Sequence, residues 1–378
     1  MENDLKGFQS MEEKLAYICK AFRVEGEIIK YRLIPSGHIN TTYYVALYDG
    51  YEIRQYLVQM VNWFVFKEPE TMMNNIELIT RHVMLKQQTM ERRRRLHFHH
   101  TAEGKNFIWL GEGETREFWR LSNFVENSVS FDESGGNREL LRMSGKAFGN
   151  FERQMDGFDA SQLVESIPHF HDTRYRLETL FAHVAEDPLG RVAQVRPAID
   201  IIEKNRAFAC TLCEMIDRGE LPIRVTHNDT KTNNVLFDKW TLDPLVVIDL
   251  DTCMPGLVCY DFGDTVRFAG TLGREDDTDL TRMKLDLGLF RAFTEGYVGE
   301  TASMLTDAEL GSLATGACIM TLELASRFLD DYITGDQYFR IDYPMHNLVR
   351  TWSQLALFED MMRHRGEMEA IVHEVAGR

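Results

Sequence analysis

The first third of the chain changes from a helical to a strand-like pattern of hydrophobic positions. Four apolar residues have the spacing of one face of an amphipathic helix over residues 11–22: Leu15, Ile18, Cys19 and Phe22. Three runs rich in β-branched and aromatic residues follow and predict a hairpin-rich sheet: 28–33, 43–47 and 53–61. The pattern then returns to a helical period over residues 72–86.

Two more strand-like runs, 107–110 and 118–125, precede a mainly helical remainder. One predicted helical face after residue 137 consists of Leu140, Leu141, Ser144, Phe148, Phe151 and Met155. Long helical patterns cover 174–218 and 281–332, and the apolar run Leu245 to Ile248 between them has the length of a strand. The pattern therefore predicts an α+β chain with two lobes that meet near residues 123–130.

Composition and charge narrow the class of protein. The chain has 378 residues, 44% of them hydrophobic, which is enough for about two domains with cores of their own. Its 59 acidic against 42 basic residues give a formal charge of −17, which disfavours nucleic acid as a partner. The sequence contains neither an apolar run of membrane-spanning length nor a secretion signal at its start, and its six cysteines are few. We therefore expect a cytoplasmic protein that binds neither nucleic acid nor membrane and is a monomer or homodimer.

Two segments have the spacing of possible metal or anion sites. Cys210 and Cys213 form a single CxxC, and the apolar residues upstream favour two packed helical cysteines over a metal or redox pair. The run Arg92 to Arg95 precedes a histidine cluster at 97–100. Because four adjacent arginines cannot face one ligand, a solvated loop or helix end is favoured over a phosphate or metal site.

The residues with the strongest chemical pattern lie between 225 and 252. Asp229 is followed five residues later by Asn234, and Asp249 comes directly after the apolar run Val246 to Ile248. Transfer of a γ-phosphoryl group to an alcohol needs a carboxylate to orient the hydroxyl and oxygen ligands for Mg²⁺, and these residue types in this order supply both. The alternative is an ordinary polar turn between two strands, which would have to produce all of these residues by chance.

A second acidic motif lies nearby. Asp261, Phe262 and Gly263 spell the metal-binding triplet of protein kinases, but they lie 32 residues after Asp229 and follow no apolar strand. We predict that Asp261 is a buried structural carboxylate that braces the loop of Asp229, with a metal ligand as the alternative.

The segment from His227 to Asn234, together with Ile248 and Asp249, resembles the aminoglycoside phosphotransferase and choline kinase superfamily. That resemblance implies a protein-kinase-like bilobal fold, α+β in class, with ATP and Mg²⁺ as cofactors and a small molecule as substrate. It divides the chain into an N-terminal nucleotide-binding lobe at 1–122, a hinge at 123–127 and a C-terminal catalytic lobe at 128–378.

Six segments resemble, more narrowly, the bacterial N-acetylhexosamine 1-kinases: 37–43, 170–173, 225–231, 248–252, 261–264 and 346–351. The resemblance implies phosphorylation of the anomeric hydroxyl of N-acetylglucosamine or N-acetylgalactosamine to the sugar 1-phosphate. It assigns Asp229 as the base and the following residues as metal ligands: Asn234, Asp249 and Asp251. It places His38, Arg327 and Tyr338 at the sugar, although Arg327 fits a snorkelling helix residue equally well.

For the nucleotide, we expect the backbone of Phe124, Val125 and Glu126 to bind adenine, with Gly37 in the loop over the phosphates. At the position where protein kinases carry an ATP-binding lysine, this chain has Gln59, which we expect to contact the nucleotide. Because glutamine has no charge, the usual pair with Glu77 on the following helix cannot form. Two alternatives remain open: a pseudokinase that binds nucleotide or sugar without turnover, and a kinase of another alcohol such as choline, homoserine or an aminoglycoside.

Overall fold

The computed structural model describes residues 8–35, 40–86, 91–132 and 135–378 of the chain. Its contacts divide the protein into two compact units. Unit 1 contains residues 1–128 together with the short segment 248–252, and unit 2 contains residues 129–247 and 253–378. The predicted lobe boundaries at 122 and 128 remain predictions about where the functional parts of the chain divide.

Unit 1 is built on a five-stranded antiparallel sheet with the strand order β1-β2-β3-β5-β4. Its elements are α1 (Met11–Ala21), β1 (Glu27–Ile34), β2 (Thr41–Tyr48), β3 (Ile53–Val61), α2 (Pro69–Lys86), β4 (Ile108–Leu110) and β5 (Glu117–Asn123). Ser10 caps the start of α1, since its hydroxyl accepts from the backbone N–H of Glu13 at 3.1 Å. Leu15 and Ile18 of that helix are fully buried in a core with Val45 and Val58 of the sheet.

The strand register of unit 1 brings three polar side chains into one row. Gln59 of β3 pairs with Thr42 of β2 on one side and with Arg120 of β5 on the other. Arg120 is only 2% exposed, so its positively charged guanidinium is buried within this unit. A 3-10 turn, Leu250–Thr252, belongs to the same unit although it lies about 130 residues later in the sequence.

Unit 2 is mainly helical. Its helices are α3 (Arg138–Met155), α4 (Thr173–Glu186), α5 (Val192–Lys204), α6 (Arg206–Ala209), α7 (Thr211–Asp217), α8 (Val258–Ala269), α9 (Leu287–Thr301), α10 (Asp307–Thr334) and α11 (His346–Ala376). Its strands are short: β7 (Arg224–Thr226), β8 (Val235–Asp238), β9 (Pro244–Val247) and β10 (Met254–Gly256), while β6 (Ser128–Val129) lies at the unit boundary and pairs with β8. Strand β7 pairs with β10, and β8 pairs with β9, so short antiparallel strand pairs lie on both sides of the loop that carries Asp229.

Helix α10 forms the centre of unit 2, with buried residues around most of its circumference. Thr306 and Glu309 form a capping box at its start, which satisfies backbone donors there. Gly263 of α8 faces Gly316 of α10, and a Cβ atom at Gly263 would lie 2.8 Å from the Gly316 carbonyl oxygen. Glycine at both positions therefore permits the close approach of α8, the helix that contains the Asp261 triplet.

The predicted α+β architecture is confirmed: a small antiparallel sheet in the N-terminal part and a larger helical region after it. The predicted first helix, the three β-rich runs and the helix after residue 137 are all present within one to three residues of their predicted ends. Among the described residues, no helix combines the length and the apolar character that crossing a bilayer requires.

Candidate active site

The loop that carries Asp229 begins at the end of β7 and is held by the carboxylate of Asp261. Backbone N–H groups of His227 and Asn228 each donate to an Asp261 oxygen at 2.7 Å. Asn228 has a left-handed backbone with φ 63°, a conformation that costs energy and persists where its surroundings hold it in place. The prediction that Asp261 is a buried brace of this loop is confirmed, since its side chain is 1% exposed and bonds to the loop itself.

The same helix holds the loop at a second point. The Thr230 hydroxyl donates to the Asp261 carbonyl oxygen at 2.6 Å, and the Thr230 N–H donates to Asp264 at 3.1 Å. The Thr265 hydroxyl in turn donates to the Thr230 carbonyl oxygen at 2.6 Å. Residues on both sides of Asp229 are therefore hydrogen-bonded to α8. These bonds restrict the position of the Asp229 backbone and do not involve its carboxylate.

Asp229 and Asn234, predicted as base and metal ligand, lie side by side in unit 2. The Asn234 side-chain N–H donates to the Asp229 carboxylate at 3.0 Å and to its backbone carbonyl at 2.9 Å. The amide oxygen of Asn234 is thereby turned away from Asp229. Lys231 was not predicted as a site residue, but its ammonium lies 2.8 Å from the other Asp229 oxygen.

These contacts set the charge of the predicted base. Burial alone would raise the pKa of Asp229, but the Lys231 ammonium and the donors around the carboxylate outweigh it, so the pKa of Asp229 lies below its ordinary value. Asp229 in turn raises the pKa of Lys231. The carboxylate is therefore ionised at neutral pH and can accept a proton, and a cation stands beside it. The sequence signal that could have identified Lys231 as a site residue was its position two residues after Asp229.

Asp249 and Asp251 belong to unit 1. Asp249 has a left-handed backbone with φ 61°, directly after the apolar run of β9. Asp251 is 2% exposed, and both of its oxygens accept hydrogen bonds from the Arg120 guanidinium, Oδ2 at 3.1 Å. Asn40 donates to the same Oδ2 at 2.7 Å. The Asp251 carboxylate is thus bound by protein donors on both oxygens, and its role as a metal ligand stays a prediction.

Gln59 lies beside this ion pair. Its amide oxygen accepts from the Arg120 Nε at 3.0 Å, and its amide nitrogen donates to the Thr42 hydroxyl at 3.0 Å. Glu77 on α2 instead lies 3.0 Å from the His100 imidazole. Glu77 is thus engaged by a histidine, and the nucleotide contact predicted for Gln59 remains a prediction.

The segment after β5 carries the predicted adenine contacts. The Phe124 N–H donates to the Gln55 carbonyl at 3.1 Å, and the Val125 carbonyl accepts from the Ser128 hydroxyl at 2.7 Å. Arg93 donates to the Glu126 carbonyl at 3.0 Å, so this backbone has a fixed course. Binding of adenine here stays a prediction, and Gly37 and His38 lie outside the described residues.

Arg327 and Tyr338, both predicted at the sugar, line one cavity of about 290 Å³ in unit 2. An Arg327 nitrogen lies 3.4 Å from the Tyr338 hydroxyl, and the guanidinium lies 5.0 Å from the centre of the Phe170 ring. Arg327 is 8% exposed. The alternative of a snorkelling arginine with its head in water is therefore wrong, because the guanidinium is enclosed by aromatic rings.

The wall of this cavity is ordered by one buried carboxylate. Asp331 of α10 accepts from the backbone N–H groups of Gln337, Tyr338 and Phe339 at 2.8–2.9 Å. The side chain of Asn347, in the motif at 346–351, donates to the same carboxylate at 2.9 Å. This network explains the presence of that motif, since it fixes the turn that carries Tyr338.

Two further side chains near the cavity were not singled out from the sequence. Arg176 lines it, and burial together with the neighbouring Arg327 lowers the pKa of Arg176. His171 contacts the fully buried Glu323 through Nδ1 at 2.9 Å, and its buried Nε2 has no hydrogen-bond partner among the described residues. Both follow Phe170 closely in the sequence, within or beside the segment 170–173 that carried the resemblance.

The donors proposed for magnesium have the right chemistry for that ion. Mg²⁺ prefers hard oxygen ligands and is usually bound by one or two carboxylates plus substrate phosphates rather than by a cage of protein side chains. Asp249 in unit 1 offers a carboxylate and Asn234 in unit 2 offers an amide oxygen, which are donors of that kind, and their binding of one ion stays a prediction. Within the described ranges no group of three or more acidic, His or Cys side chains could hold a metal by itself.

Comparisons with known proteins identify the family of this chain. The sequence model of the phosphotransferase enzyme family, APH, matches residues 30–297. Among solved structures, the chain is similar to an amicoumacin kinase in complex with AMP-PNP and Ca²⁺ (TM-score 0.55, 13% identity, 96% of this chain and 93% of that one). It is also similar to choline kinase from Cryptosporidium parvum (TM-score 0.55, 10% identity, 97% and 99%) and to Plasmodium vivax ethanolamine kinase (0.54, 13%, 95% and 93%). Because the family match covers well over half of the chain, this protein belongs to the APH phosphotransferase enzyme family.

Proposed function

We propose that this phosphotransferase transfers the γ-phosphoryl group of ATP to the anomeric hydroxyl of N-acetylglucosamine or N-acetylgalactosamine. The phosphotransferase class rests on the family. The observation that supports the sugar is the cavity of Arg327 and Tyr338, in which hydrogen-bond donors stand beside aromatic rings. Donors suit hydroxyl and amide oxygens, and aromatic faces suit the apolar face of a sugar ring.

In this proposal Asp229 orients the anomeric hydroxyl and accepts its proton as the sugar oxygen bonds to the γ-phosphorus and the bond to ADP breaks. Lys231 stabilises the ionised Asp229 and offers a cation to the transferred phosphoryl group. Asn234 and Asp249 provide oxygen ligands for Mg²⁺, which when bound neutralises charge on the phosphates. Glu126 and its neighbours in the hinge at 123–127 bind adenine through their backbone.

The charge of the cavity argues against cationic substrates. Arg176 and Arg327 both line it, and the aromatic rings that could cage a quaternary ammonium already face the Arg327 guanidinium. The two carboxylates on the wall are already engaged, Asp331 by backbone N–H groups and Asp330 by His183 at 2.7 Å. Choline and aminoglycosides would therefore compete with two guanidinium groups for the same aromatic and acidic partners.

The test is a substrate panel assayed with ATP and Mg²⁺: both N-acetylhexosamines, glucose, galactose, choline, homoserine and kanamycin. We expect only the amino sugars to react well, with the phosphate at the anomeric oxygen by ³¹P NMR. Turnover of choline or kanamycin without turnover of the amino sugars would refute the sugar assignment, and the assignment as a phosphotransferase would stand. Nucleotide binding without any product would favour a pseudokinase.

Asp229→Asn is the matched inactive variant for that panel. It keeps the shape and the hydrogen-bond acceptor toward Lys231 but cannot take a proton, so turnover should fall by about 10²–10⁴-fold. The Kd for nucleotide should stay within about twofold, since no role in adenine binding is proposed for it. Turnover near the wild-type rate would remove Asp229 from the role of base.

The sugar cavity is tested by Arg327→Met and Tyr338→Phe. Loss of a hydrogen bond to a charged group is worth about 1.5–3 kcal/mol, so Arg327→Met should raise the KM for sugar by about tenfold or more while the KM for ATP stays nearly constant. Tyr338→Phe should have a smaller effect in the same direction. Arg340→Met is the control, because that arginine is 75% exposed on the same turn. An unchanged KM for sugar in both variants would place the substrate elsewhere.

A further inference from the structure

The buried ion pair between Arg120 and Asp251 joins two distant parts of the sequence within unit 1. Arg120 lies in the middle of β5, and Asp251 lies in the short turn that follows Asp249. The guanidinium binds the carboxylate through two nitrogens, the geometry that gives arginine–carboxylate pairs both strength and a fixed orientation. Because each side chain is only 2–3% exposed, water competes little for these bonds.

Each partner of the pair is held by a further neighbour. The Asn40 side chain donates to Asp251 at 2.7 Å, and its own amide oxygen accepts from the Asn62 N–H at 3.0 Å. Arg120 donates its Nε to Gln59, and the face of the Phe98 ring lies 5.5 Å from the guanidinium carbon. A buried charged pair is costly unless its hydrogen bonds are satisfied, and here the neighbours satisfy them.

This arrangement explains why position 59 is a glutamine. The register places it directly opposite Arg120, whose Nε needs an acceptor. A lysine has only donors and would set a second cation against the guanidinium, whereas the glutamine amide accepts from Arg120 and donates to Thr42. The departure from the protein-kinase lysine is thus tied to the presence of Arg120 on the next strand.

We propose that Arg120 is a positioning residue that binds Asp251 and so fixes the turn that presents Asp249. Asp249 needs such support because its backbone is left-handed at φ 61°. Arg120 does not touch the reacting groups in this proposal, and Asp251 acts through Arg120 rather than as a ligand. The proposal rests on the proposed function only in that Asp249 serves the metal of a bound nucleotide.

The test measures how strongly Mg²⁺ strengthens the binding of AMP-PNP, as the ratio of Kd values in EDTA and in Mg²⁺ by calorimetry. Mutation of groups that orient a metal ligand typically costs about 10–100-fold in metal affinity, so Arg120→Met should reduce this ratio by at least about tenfold. The Kd in EDTA should change much less. Arg54→Met is the control, since that arginine is half exposed on β3 and should leave both values unchanged.

A double-mutant cycle separates positioning from direct ligation. If Asp251 acts only through Arg120, then Asp251→Asn and Arg120→Met together should cost no more than the larger single effect. If Asp251 ligates the ion itself, Asp251→Asn alone should lose considerably more than Arg120→Met, and the proposal would be wrong. Asn40→Ala, which removes one donor to Asp251 and no charge, should reproduce a smaller loss if Arg120→Met does not fold.

The readout is independent of the sugar. If the wild-type protein binds Mg²⁺ and AMP-PNP but phosphorylates no amino sugar, the proposed substrate is wrong. The same double-mutant cycle then still tests the role of Arg120. A folded Arg120→Met variant with an unchanged Mg²⁺ dependence would overturn the inference while the sugar assignment stood.

Discussion

Replacement of Asp261 by asparagine probes how α8 holds the loop of Asp229. In the protein both Asp261 oxygens accept backbone N–H groups at 2.7 Å, from His227 and Asn228. Asparagine offers only one side-chain oxygen, so one of the two backbone N–H groups loses its charged acceptor. The side-chain NH2 of the asparagine then faces that buried N–H, and two donors oppose each other without an acceptor. A bond to a charged group is worth about 1.5–3 kcal/mol and an unsatisfied buried donor costs about 1–3 kcal/mol, so the loss should be about 3–5 kcal/mol.

For the roughly 245 residues of unit 2, with an unfolding entropy of about 2.1 cal/mol/K per residue, this loss lowers Tm by about 6–10 °C. The assay is thermal unfolding followed by circular dichroism, with turnover measured per folded molecule at a temperature below the transition. Turnover should also fall, because Asn228 is held in its left-handed conformation by the same carboxylate.

Glu152→Gln is the matched control. Glu152 is buried beside Asp261, and burial, with the negative charge of Asp261 second, raises the pKa of Glu152 well above its ordinary value. Burial thus favours the uncharged form of Glu152, and a glutamine of the same shape, which is also uncharged, should change Tm by no more than about 1 °C. The reasoning would be refuted if Asp261→Asn lowered Tm by less than about 2 °C, or if both variants lowered it equally.

Two further predictions concern the loop and its support. Lys231→Met removes the ammonium that lowers the pKa of Asp229, so that pKa should rise and the acid limb of the kcat/KM profile should move to higher pH, whereas Lys231→Arg should largely preserve it. An acid limb at the same pH in Lys231→Met would contradict this. Gly263→Ala should destabilise the protein by about 1–3 kcal/mol, since its Cβ would meet the α10 backbone at 2.8 Å. Gly311→Ala, in open space on α10, should stabilise it by about 0.5–1 kcal/mol, and equal Tm shifts in thermal unfolding would show that the contact between the helices is not tight.

The local pattern of the chain determined the elements and part of the site. The hydrophobic spacing at Leu15 and Ile18 specifies a helix, and the β-rich runs specify the sheet, because both signals repeat within one element. The spacing of Asp229 and Asn234 likewise keeps them in one loop, where five residues cannot carry them far apart. The apolar run before Asp249 marks the strand from which that carboxylate emerges.

Tertiary structure alone decided which polar groups are paired. Arg120 and Asp251 are separated by 131 residues, and nothing near either one indicates its partner. The turn of Tyr338 is built on contacts at shorter range, from Asp331 and Asn347, and the spacing of these residues does not indicate that they bind one another. A carboxylate has the same composition whether it binds a metal, a backbone N–H or a guanidinium, so its role depends on the neighbours that folding brings to it. For that reason the sequence predicted Asp229 with its surrounding loop, while only the fold revealed that Asp251 is bound by arginine and that Lys231 is bound by Asp229.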